Sequence, residues 1–474
     1  MGIDITSFYI YRWRYYIGYG LIGLLLIALL VFVGLYVPGG ISHDEKVSVI
    51  QSASIHFDNI SSLAVINLPY QVLQQASLQL FGVHDFSIKL PSLILAFASA
   101  VGLILLLRQW FKGNIAVLSA VIALTTGQFI FIAQSGTAGI LYLLWSVWLL
   151  LIGTFIAKKV GNRFLWKILF FVIAALSLYT PLSVYALFAL AMASILHPHL
   201  RFIIRSLSKA KMALGIILAL IIVSPLVLGV IKSPELGLSL LGIPSQFPDI
   251  FANINTLASQ YIGFWIPSTT SLMTPVFGFG SAIIICLGIY RLIRTRDSTQ
   301  SYLIIIWLAC LIPILVTNPL YTSVTFLPLV LLMATGLASL LSYWYRLFPR
   351  NPYARIAGLI PLIVLISALV LTGLERYTYG YRYDPYTVPN FSKDLASLPK
   401  NTKQLVVSED QLAFYTVVAN YNKTFSVALV PSESSFVATH DGNQTFLTYK
   451  IDRIITSSSL QDADRFYIYK KSGQ

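Results

Sequence analysis

Long apolar stretches separated by short charged connections dominate this sequence and limit what it can fold into. A helix needs about 20 apolar residues to cross a bilayer. Eleven stretches approach that length: 17–37, 90–108, 114–133, 138–157, 165–180, 181–197, 212–231, 274–290, 301–317, 323–343 and 356–374. Tyr179-Thr180-Pro181 divides the longest apolar run into two spans, because proline lacks an amide donor and disfavours helix in the residue before it. The sequence therefore predicts an all-α polytopic membrane protein with about 11 transmembrane helices.

The distribution of charge supports this topology. Charged residues make up 11% of the 474 residues, whereas a soluble domain is about 25% charged. The net charge of +14 lies almost wholly before residue 375, where eighteen Lys and Arg occupy one side of the predicted spans and three the other. Because cytoplasmic loops carry such an excess, we predict a cell-membrane protein with a cytoplasmic N-terminus. The bilayer is its expected partner, and no nucleic acid is expected.

A change in composition near residue 375 divides the chain into two predicted domains. Residues 1–374 form a transmembrane domain with two larger external loops, 38–89 and 232–273. Residues 375–474 carry balanced charge and the segment LVVSEDQLAFYTVVANYNKTFSVALV, which has strand, helix and strand signals. RIITSSS and RFYIYKK predict further strands. We expect a small extracytoplasmic α/β domain here.

Both external loops contain apolar residues at helical spacing. The first loop has two such stripes and the second has one: Val47, Ile50, Ser54 and Phe57; Pro69, Leu73, Ala76 and Leu80; and Phe251, Ile254, Ala258, Tyr261 and Trp265. These segments are too short to cross a bilayer, so we predict amphipathic helices that lie in its interface. The third serves either as an anchor or as a wall of a substrate groove.

The first external loop also concentrates acidic residues, with His43-Asp44-Glu45 only a few residues beyond the first span. Adjacent carboxylates can divide labour, since one can act as a general base while the other orients it. Alternatively, Asp44 and Glu45 begin a helix, whose N-terminal dipole favours negative side chains. A third alternative is a divalent cation, with ligands drawn from the set His43, Asp44, Glu45, His56 and Asp58, although their spacing matches no strong ligand pattern.

Four short motifs of this loop resemble the first external loop of the C-type glycosyltransferase fold. They are Asp44-Glu45, Asn67-Leu68-Pro69-Tyr70, Leu80-Phe81-Gly82 and Lys89-Leu90-Pro91-Ser92. The similar branch contains protein O-mannosyltransferases and bacterial aminoarabinose-lipid transferases. FLPLVLLMATGL, residues 326–337, also resembles the proline-led late span of that family. Span count, orientation and an external C-terminal domain fit the same resemblance.

The resemblance implies transfer of a sugar from a polyprenyl-phosphate carrier to a lipid, protein or polysaccharide acceptor on the extracytoplasmic face. The reaction would be an inverting single displacement. Asp44 would take the proton of the acceptor hydroxyl, and Glu45 would support it. His43, Asp58 and Tyr70 are further candidates for substrate binding. The chemistry requires no cofactor, while a divalent cation at Asp44 and Glu45 stays open.

Fewer residues of this chain match the phosphate-binding part of the family pattern than match its acidic part. A leaving phosphate needs positive charge or hydrogen-bond donors, and the external candidates are Lys89, Lys232, Arg376 and Arg382. Lys89 stands where the family has Arg, and it lacks the bidentate fork of a guanidinium. QSGTAG at the exit of the third span lacks an expected Arg, and Val324-Thr325 replace a basic-aromatic pair.

Two other functions therefore stay open. The first is a non-catalytic relative that binds lipid carriers, which the missing arginines favour and the acid pair disfavours. The second is a lipid or polysaccharide transporter. A transporter often carries ionisable groups inside its spans, and none of the eighteen carboxylates lies within a predicted span.

Overall fold

A computed structural model gives the architecture of the chain. It describes residues 41–264 except 59, 162, 206–208, 245 and 247, and residues 276–347, 357, 359–381, 394–456 and 465–471, with scattered positions between 13 and 28. Most of the predicted first span, 17–37, therefore lies outside the described residues.

Most of the described chain is helical. The helices are α1 (His43–Ala53), α2 (Leu68–Phe81), α3 (Asp85–Trp110), α4 (Gly113–Leu124), α5 (Gly127–Gln134), α6 (Leu141–Lys158), α7 (Arg163–Ser177), α8 (Ser183–Leu196), α9 (Pro198–Arg205), α10 (Lys209–Lys232), α11 (Pro234–Leu241), α12 (Ile250–Ile262), α13 (Phe279–Arg294), α14 (Thr299–Thr317), α15 (Phe326–Leu347), α16 (Leu359–Glu375), α17 (Asp394–Ser397) and α18 (Glu409–Asn422). Short 3-10 segments cover Ile60–Leu63, Ala138–Ile140 and Pro319–Thr325, and a π-helical turn, Arg376–Tyr381, extends α16.

Helices occur at the ten predicted spans that the structure describes. Six of the described helices are long and apolar enough to cross a membrane, or up to eight if each of two bent pairs counts as one span. The pair α4 and α5 bends by 61°, and the pair α8 and α9 bends by 93°. The polytopic helical fold is thus confirmed for six to eight spans, and the number eleven stays a prediction.

The predicted interfacial helices of the first loop are α1 and α2. Ser42 caps α1, Pro69 lies in the first turn of α2, and Gly82 ends α2 with φ +74°, a backbone conformation that favours glycine. Leu73 and Leu80 on α2 are exposed, whereas Gln71, Gln74 and Gln75 are buried. The helix therefore turns its apolar stripe outward and its amides toward the protein, as an interfacial helix against lipid would.

The C-terminal part is a five-stranded sheet with one longer helix, α18. Its strands are β1 (Gln404–Val406), β2 (Ser426–Ala428), β3 (Ser435–Thr439), β4 (Tyr449–Ile455) and β5 (Phe466–Lys471), in the order β2-β1-β3-β5-β4. β1 pairs in parallel with β2 and β3, while β5 is antiparallel to β3 and β4. The predicted strands and helix are confirmed, and the central strand β3 was not predicted. The boundary at residue 375 stays a prediction.

The sheet domain packs directly on the first loop. Their shared apolar core joins Ile41, Val49 and Leu78 of the loop to Phe414 and Val418 of α18. The Asn422 side chain bonds both backbone groups of Val83: its Oδ1 accepts from the amide at 2.7 Å, and its Nδ2 donates to the carbonyl at 2.9 Å. Hence α1, α2 and α18 form one layer at this end of the helix bundle, which we call the sheet-domain end.

Candidate active site at the first loop

The Glu45 side chain is fully buried, with 0% of its surface exposed. Its Oε2 accepts a hydrogen bond from the Ser42 amide at 2.9 Å, and the Ser42 hydroxyl accepts from the Glu45 amide at 3.2 Å. This reciprocal arrangement is a capping box, which satisfies two amide donors at the start of α1. The helix start that the sequence offered as an alternative is therefore present.

Glu45 also joins α1 to two distant segments. Its Oε1 accepts from the Gly136 amide at 2.5 Å and lies 3.8 Å from Lys89 Nζ. Lys89 is 1% exposed. A Cβ on Gly136 would lie 2.8 Å from Ile88 Cγ2 and 3.1 Å from Glu45 Cγ, so only glycine allows this approach. The buried carboxylate thus links α1, the start of α3 and the turn after α5.

Asp44 differs from its neighbour because it is exposed. Successive residues of an α-helix point about 100° apart, so the burial of Glu45 turns Asp44 toward the surface of the loop. His43, which is also exposed, precedes it in the first turn. The acid pair is therefore divided: the Glu45 carboxylate makes buried contacts within the fold, and the Asp44 carboxylate lies at the surface.

Gln74 completes a buried polar network beside Glu45. Its Oε1 accepts from the hydroxyls of Ser48 and Ser52 at 2.7 Å each. Its Nε2 donates to the carbonyls of Ile88 and Gly136 at 3.1 Å each. One amide therefore ties α1, α2, α3 and the turn after α5 together. Because a buried network is costly when one member is missing, these contacts fix the position of α1.

Tyr70 belongs to the interior of the same network. It is fully buried, and its hydroxyl lies 2.9 Å from Ser92 Oγ, which in turn donates to the Thr137 carbonyl at 3.2 Å. Burial raises the pKa of the Tyr70 hydroxyl, the negative charge of Glu45 raises it further, and the hydrogen bond with Ser92 opposes both. Tyr70 is therefore a neutral phenol that packs inside the loop.

The other predicted site residues lie elsewhere. Asp58 and Lys232 are exposed, with Lys232 ending α10. Arg376 is partly buried, and its Nε and Nη2 atoms are shielded from solvent and have no hydrogen-bond partner among the described residues. Arg382 lies outside the described residues. The structure thus brings Glu45, Lys89 and Tyr70 into one buried cluster, and no contact among the described residues joins Asp58, Lys232 or Arg376 to it.

The described residues form no group of three or more His, Cys, Asp or Glu side chains that could hold a metal ion. Asp44 and Glu45 themselves differ in exposure, although they are adjacent. The loop as described therefore offers at most a partial ligand set at this position.

Several residues of the network were missed by sequence reasoning. The Ser42-x-x-Glu45 spacing is a capping-box signature that would have identified the role of Glu45 in the cap. Gln74 was not among the predicted site residues, because glutamine is usually exposed. Gly136 and Asn422 act through contacts 91 and 339 residues away in sequence, which no local pattern indicates.

Comparison with known proteins provides independent information on the family. Residues 69–228 match the family described as dolichyl-phosphate-mannose-protein mannosyltransferase. The structure is similar to ArnT from Cupriavidus metallidurans bound to undecaprenyl phosphate, at 12% identity and a TM-score of 0.51, over 95% of this chain and 98% of that chain. The resemblance to the C-type glycosyltransferase fold is confirmed.

Two further solved structures are similar to this chain. The apo state of the same ArnT matches at 13% identity with a TM-score of 0.51, over 95% of this chain and 98% of that chain. The Archaeoglobus fulgidus oligosaccharyltransferase tethered with an acceptor peptide matches at 12% identity with a TM-score of 0.45, over 86% of this chain and 64% of that one. Comparison with curated protein sequences gives no match. The family match begins at Pro69 and so leaves out Asp44 and Glu45.

Proposed function

We propose that the protein is a membrane glycosyltransferase that moves a sugar from a polyprenyl-phosphate carrier to an acceptor hydroxyl. The description of the matched family and the undecaprenyl phosphate bound to the similar ArnT support this class of donor. The acceptor is a lipid, a protein or a polysaccharide. The reaction takes place on the extracytoplasmic face of the cell membrane, which is the sheet-domain end if the excess of basic residues marks the cytoplasm.

The observation that carries the proposal is the divided acid pair. Asp44 is exposed at the start of a helix that Glu45, Lys89 and Gln74 hold in place through buried contacts. In the proposed step, Asp44 takes the acceptor proton while the acceptor oxygen bonds to the anomeric carbon. The bond from that carbon to the carrier phosphate breaks, and the phosphate leaves with the electron pair. Attack from the opposite face inverts the anomeric centre.

Arg376 is the proposed partner of the leaving phosphate. It begins the π-helical turn after α16, where Tyr377 and Tyr381 pack against Gly127 of α5. Two of its nitrogen atoms are buried without an acceptor among the described residues, and such donors are costly unless something pairs with them. A phosphate oxygen is the acceptor that an arginine fork fits best. Lys89 already faces Glu45, so we assign it to positioning, while Lys232 and Arg382 remain candidates.

A direct test uses purified protein with a synthetic polyprenyl-phosphate mannose and a crude membrane acceptor. Wild type should transfer labelled sugar. Arg376→Gln should raise the KM for the donor or lower kcat by at least tenfold, while Arg453→Gln on the exposed strand β4 serves as the matched control. Absence of transfer by wild type with any polyprenyl-phosphate sugar would overturn the proposed function.

A second candidate function is a non-catalytic protein that binds the lipid carrier. The ion pair between Lys89 and Glu45 favours this second function, because it leaves one cation fewer to bind the leaving phosphate. Binding of a polyprenyl phosphate without sugar transfer, by wild type and by Asp44→Asn alike, would support this function over the first.

A further inference from the structure

A cavity of about 310 Å³ opens beside α11. Its polar lining comes from Glu235 and Ser239 on α11 and from Asn318 and Tyr321 beyond α14, with Leu238 and Ile243 contributing apolar surface. The helix before it, α10, packs its Gly229 against Ala64 of the first loop. The cavity therefore lies at the same end of the bundle as Asp44, and its volume falls at the lower end of the range for small-molecule sites.

One wall of the cavity is fixed from behind. The Leu182 amide donates to the Leu240 carbonyl at 2.9 Å, and the Tyr185 hydroxyl donates to the Leu241 carbonyl at 3.0 Å. Gly242 ends α11 with φ +74°, and a Cβ there would lie 2.3 Å from Leu182 Cδ2. A glycine is thus required where α11 meets the bundle, and the position of Glu235 is determined by these contacts.

The opposite wall is held in the same way. Asn253 of α12 donates to the carbonyls of Val316 and Thr317 at 3.0 and 3.1 Å, and the Tyr261 hydroxyl lies 2.6 Å from Thr325 Oγ1. The Tyr321 ring meets the edge of Tyr142 at 6.1 Å between centroids. Both walls are therefore anchored by groups that lie outside the cavity lining.

The side chains that line the cavity indicate which class of ligand it can bind. Among the described residues that line the cavity, Glu235 is the one charged side chain, and it is exposed, with no hydrogen bond or ion pair to another described residue. Ser239, Asn318 and Tyr321 add hydroxyl and amide groups that both donate and accept. We propose that this cavity binds a sugar ring that carries no negative charge. Sugar hydroxyls donate to the carboxylate, whereas a phosphate or uronate would face like-charge repulsion.

This inference rests on the proposed transfer, and packed residues connect the cavity to the acid loop, since Tyr321 of its lining contacts Tyr142. Tyr142 lies five residues after Thr137, whose carbonyl accepts from Ser92 in the buried network. Five residues span at most about 18 Å. The bound ring is then the sugar of the donor or the terminal sugar of the acceptor, and these two sources share the same chemistry.

Binding is tested on the full-length protein in detergent by saturation-transfer NMR with methyl α-mannoside and methyl glucuronide. Wild type should bind the mannoside and reject the glucuronide. Glu235→Gln should weaken mannoside binding about tenfold and allow the glucuronide to bind, and Tyr321→Ala should weaken it further. Glu433→Gln, an exposed carboxylate of the sheet domain, is the control. The proposal is wrong if wild type binds neither sugar, or if Glu235→Gln and Tyr321→Ala bind as wild type does.

Steady-state kinetics separate the two sources. Glu235→Gln should raise the KM for the donor if the donor sugar occupies the cavity, and the KM for the acceptor if the acceptor sugar does. Mannoside binding should persist in Asp44→Asn. Loss of transfer in Asp44→Asn without mannoside binding to wild type would overturn the cavity proposal alone. Mannoside binding without any transfer by wild type would overturn the glycosyltransferase proposal instead.

Discussion

Asp44 and Glu45 are adjacent on α1 and point in different directions, so their two carboxylates have different surroundings. Glu45 meets the Ser42 amide, the Gly136 amide and Lys89, whereas Asp44 meets solvent. The buried carboxylate therefore sets the direction in which the exposed one points. The Ser42-x-x-Glu45 spacing predicts the capping contact between Ser42 and Glu45. The contact with Gly136 depends on folding and has no signal near Glu45.

Gly136→Ala tests the close approach at this site. The added Cβ would press on Ile88 and Glu45, and overpacking of this kind costs about 1–3 kcal/mol. We expect a lower midpoint of thermal unfolding in detergent and slower transfer. Gly139→Ala is the matched control, since its nearest atoms lie at 3.7 and 3.8 Å. Equal unfolding midpoints for the two variants would contradict the packing described here.

Lys89→Met tests the buried ion pair. Removing one partner leaves the buried Glu45 charge without its cation, and breaking a buried ion pair in this way costs about 3–5 kcal/mol in typical proteins. Adding Glu45→Gln to Lys89→Met should recover part of the loss, because the unpaired charge is then gone. Thermal unfolding of the two single variants and the double variant measures the coupling. Strictly additive losses would show that the two side chains do not interact.

At the scale of elements, the first loop is held from both sides. Its helices turn glutamines inward and leucines outward, and α18 covers the remaining face. The sequence predicts the amphipathic period of α2. It does not predict which face of α2 meets lipid, because the face toward the protein is polar. β3 was not predicted, and its backbone bonds come from β1 and β5, which no pattern within the strand itself indicates.

Asn422→Ala tests whether the sheet domain positions the loop. It would leave the amide and carbonyl of Val83 without their partner, at about 1–3 kcal/mol for each buried group. Hydrogen exchange should accelerate at residues 82–88 and in α1. Asn420→Ala, an exposed position of the same helix, should leave exchange unchanged. Unaltered protection in Asn422→Ala would mean that the loop is ordered without the sheet domain.

At the scale of the whole molecule, the apolar pattern predicts the membrane fold well, because each span must satisfy its own backbone in lipid. Because of the bends between α4 and α5 and between α8 and α9, the lengths of the apolar stretches alone do not give the number of spans. The docking of the sheet domain on a loop more than 300 residues earlier follows from tertiary packing. No local period encodes a contact of that kind.

Orientation in the membrane is tested with single cysteines in a background that lacks Cys286 and Cys310. Ser434→Cys on the sheet domain and His199→Cys on α9 are both at exposed positions. A membrane-impermeant maleimide added to intact cells should label Ser434→Cys, and His199→Cys should react only after permeabilisation. The reverse pattern would contradict the proposed extracytoplasmic site.

The division of the acid pair is tested most directly by Asp44→Asn, with transfer rate and unfolding midpoint measured on the same preparation. General base catalysis typically contributes about 10²–10⁴-fold, so transfer should fall at least a hundredfold. The unfolding midpoint should stay at the wild-type value, because Asp44 is exposed. Glu433→Gln, an exposed carboxylate of the sheet domain, should retain transfer. Wild-type rates in Asp44→Asn would contradict its role as the base and leave the acid pair as the start of a helix.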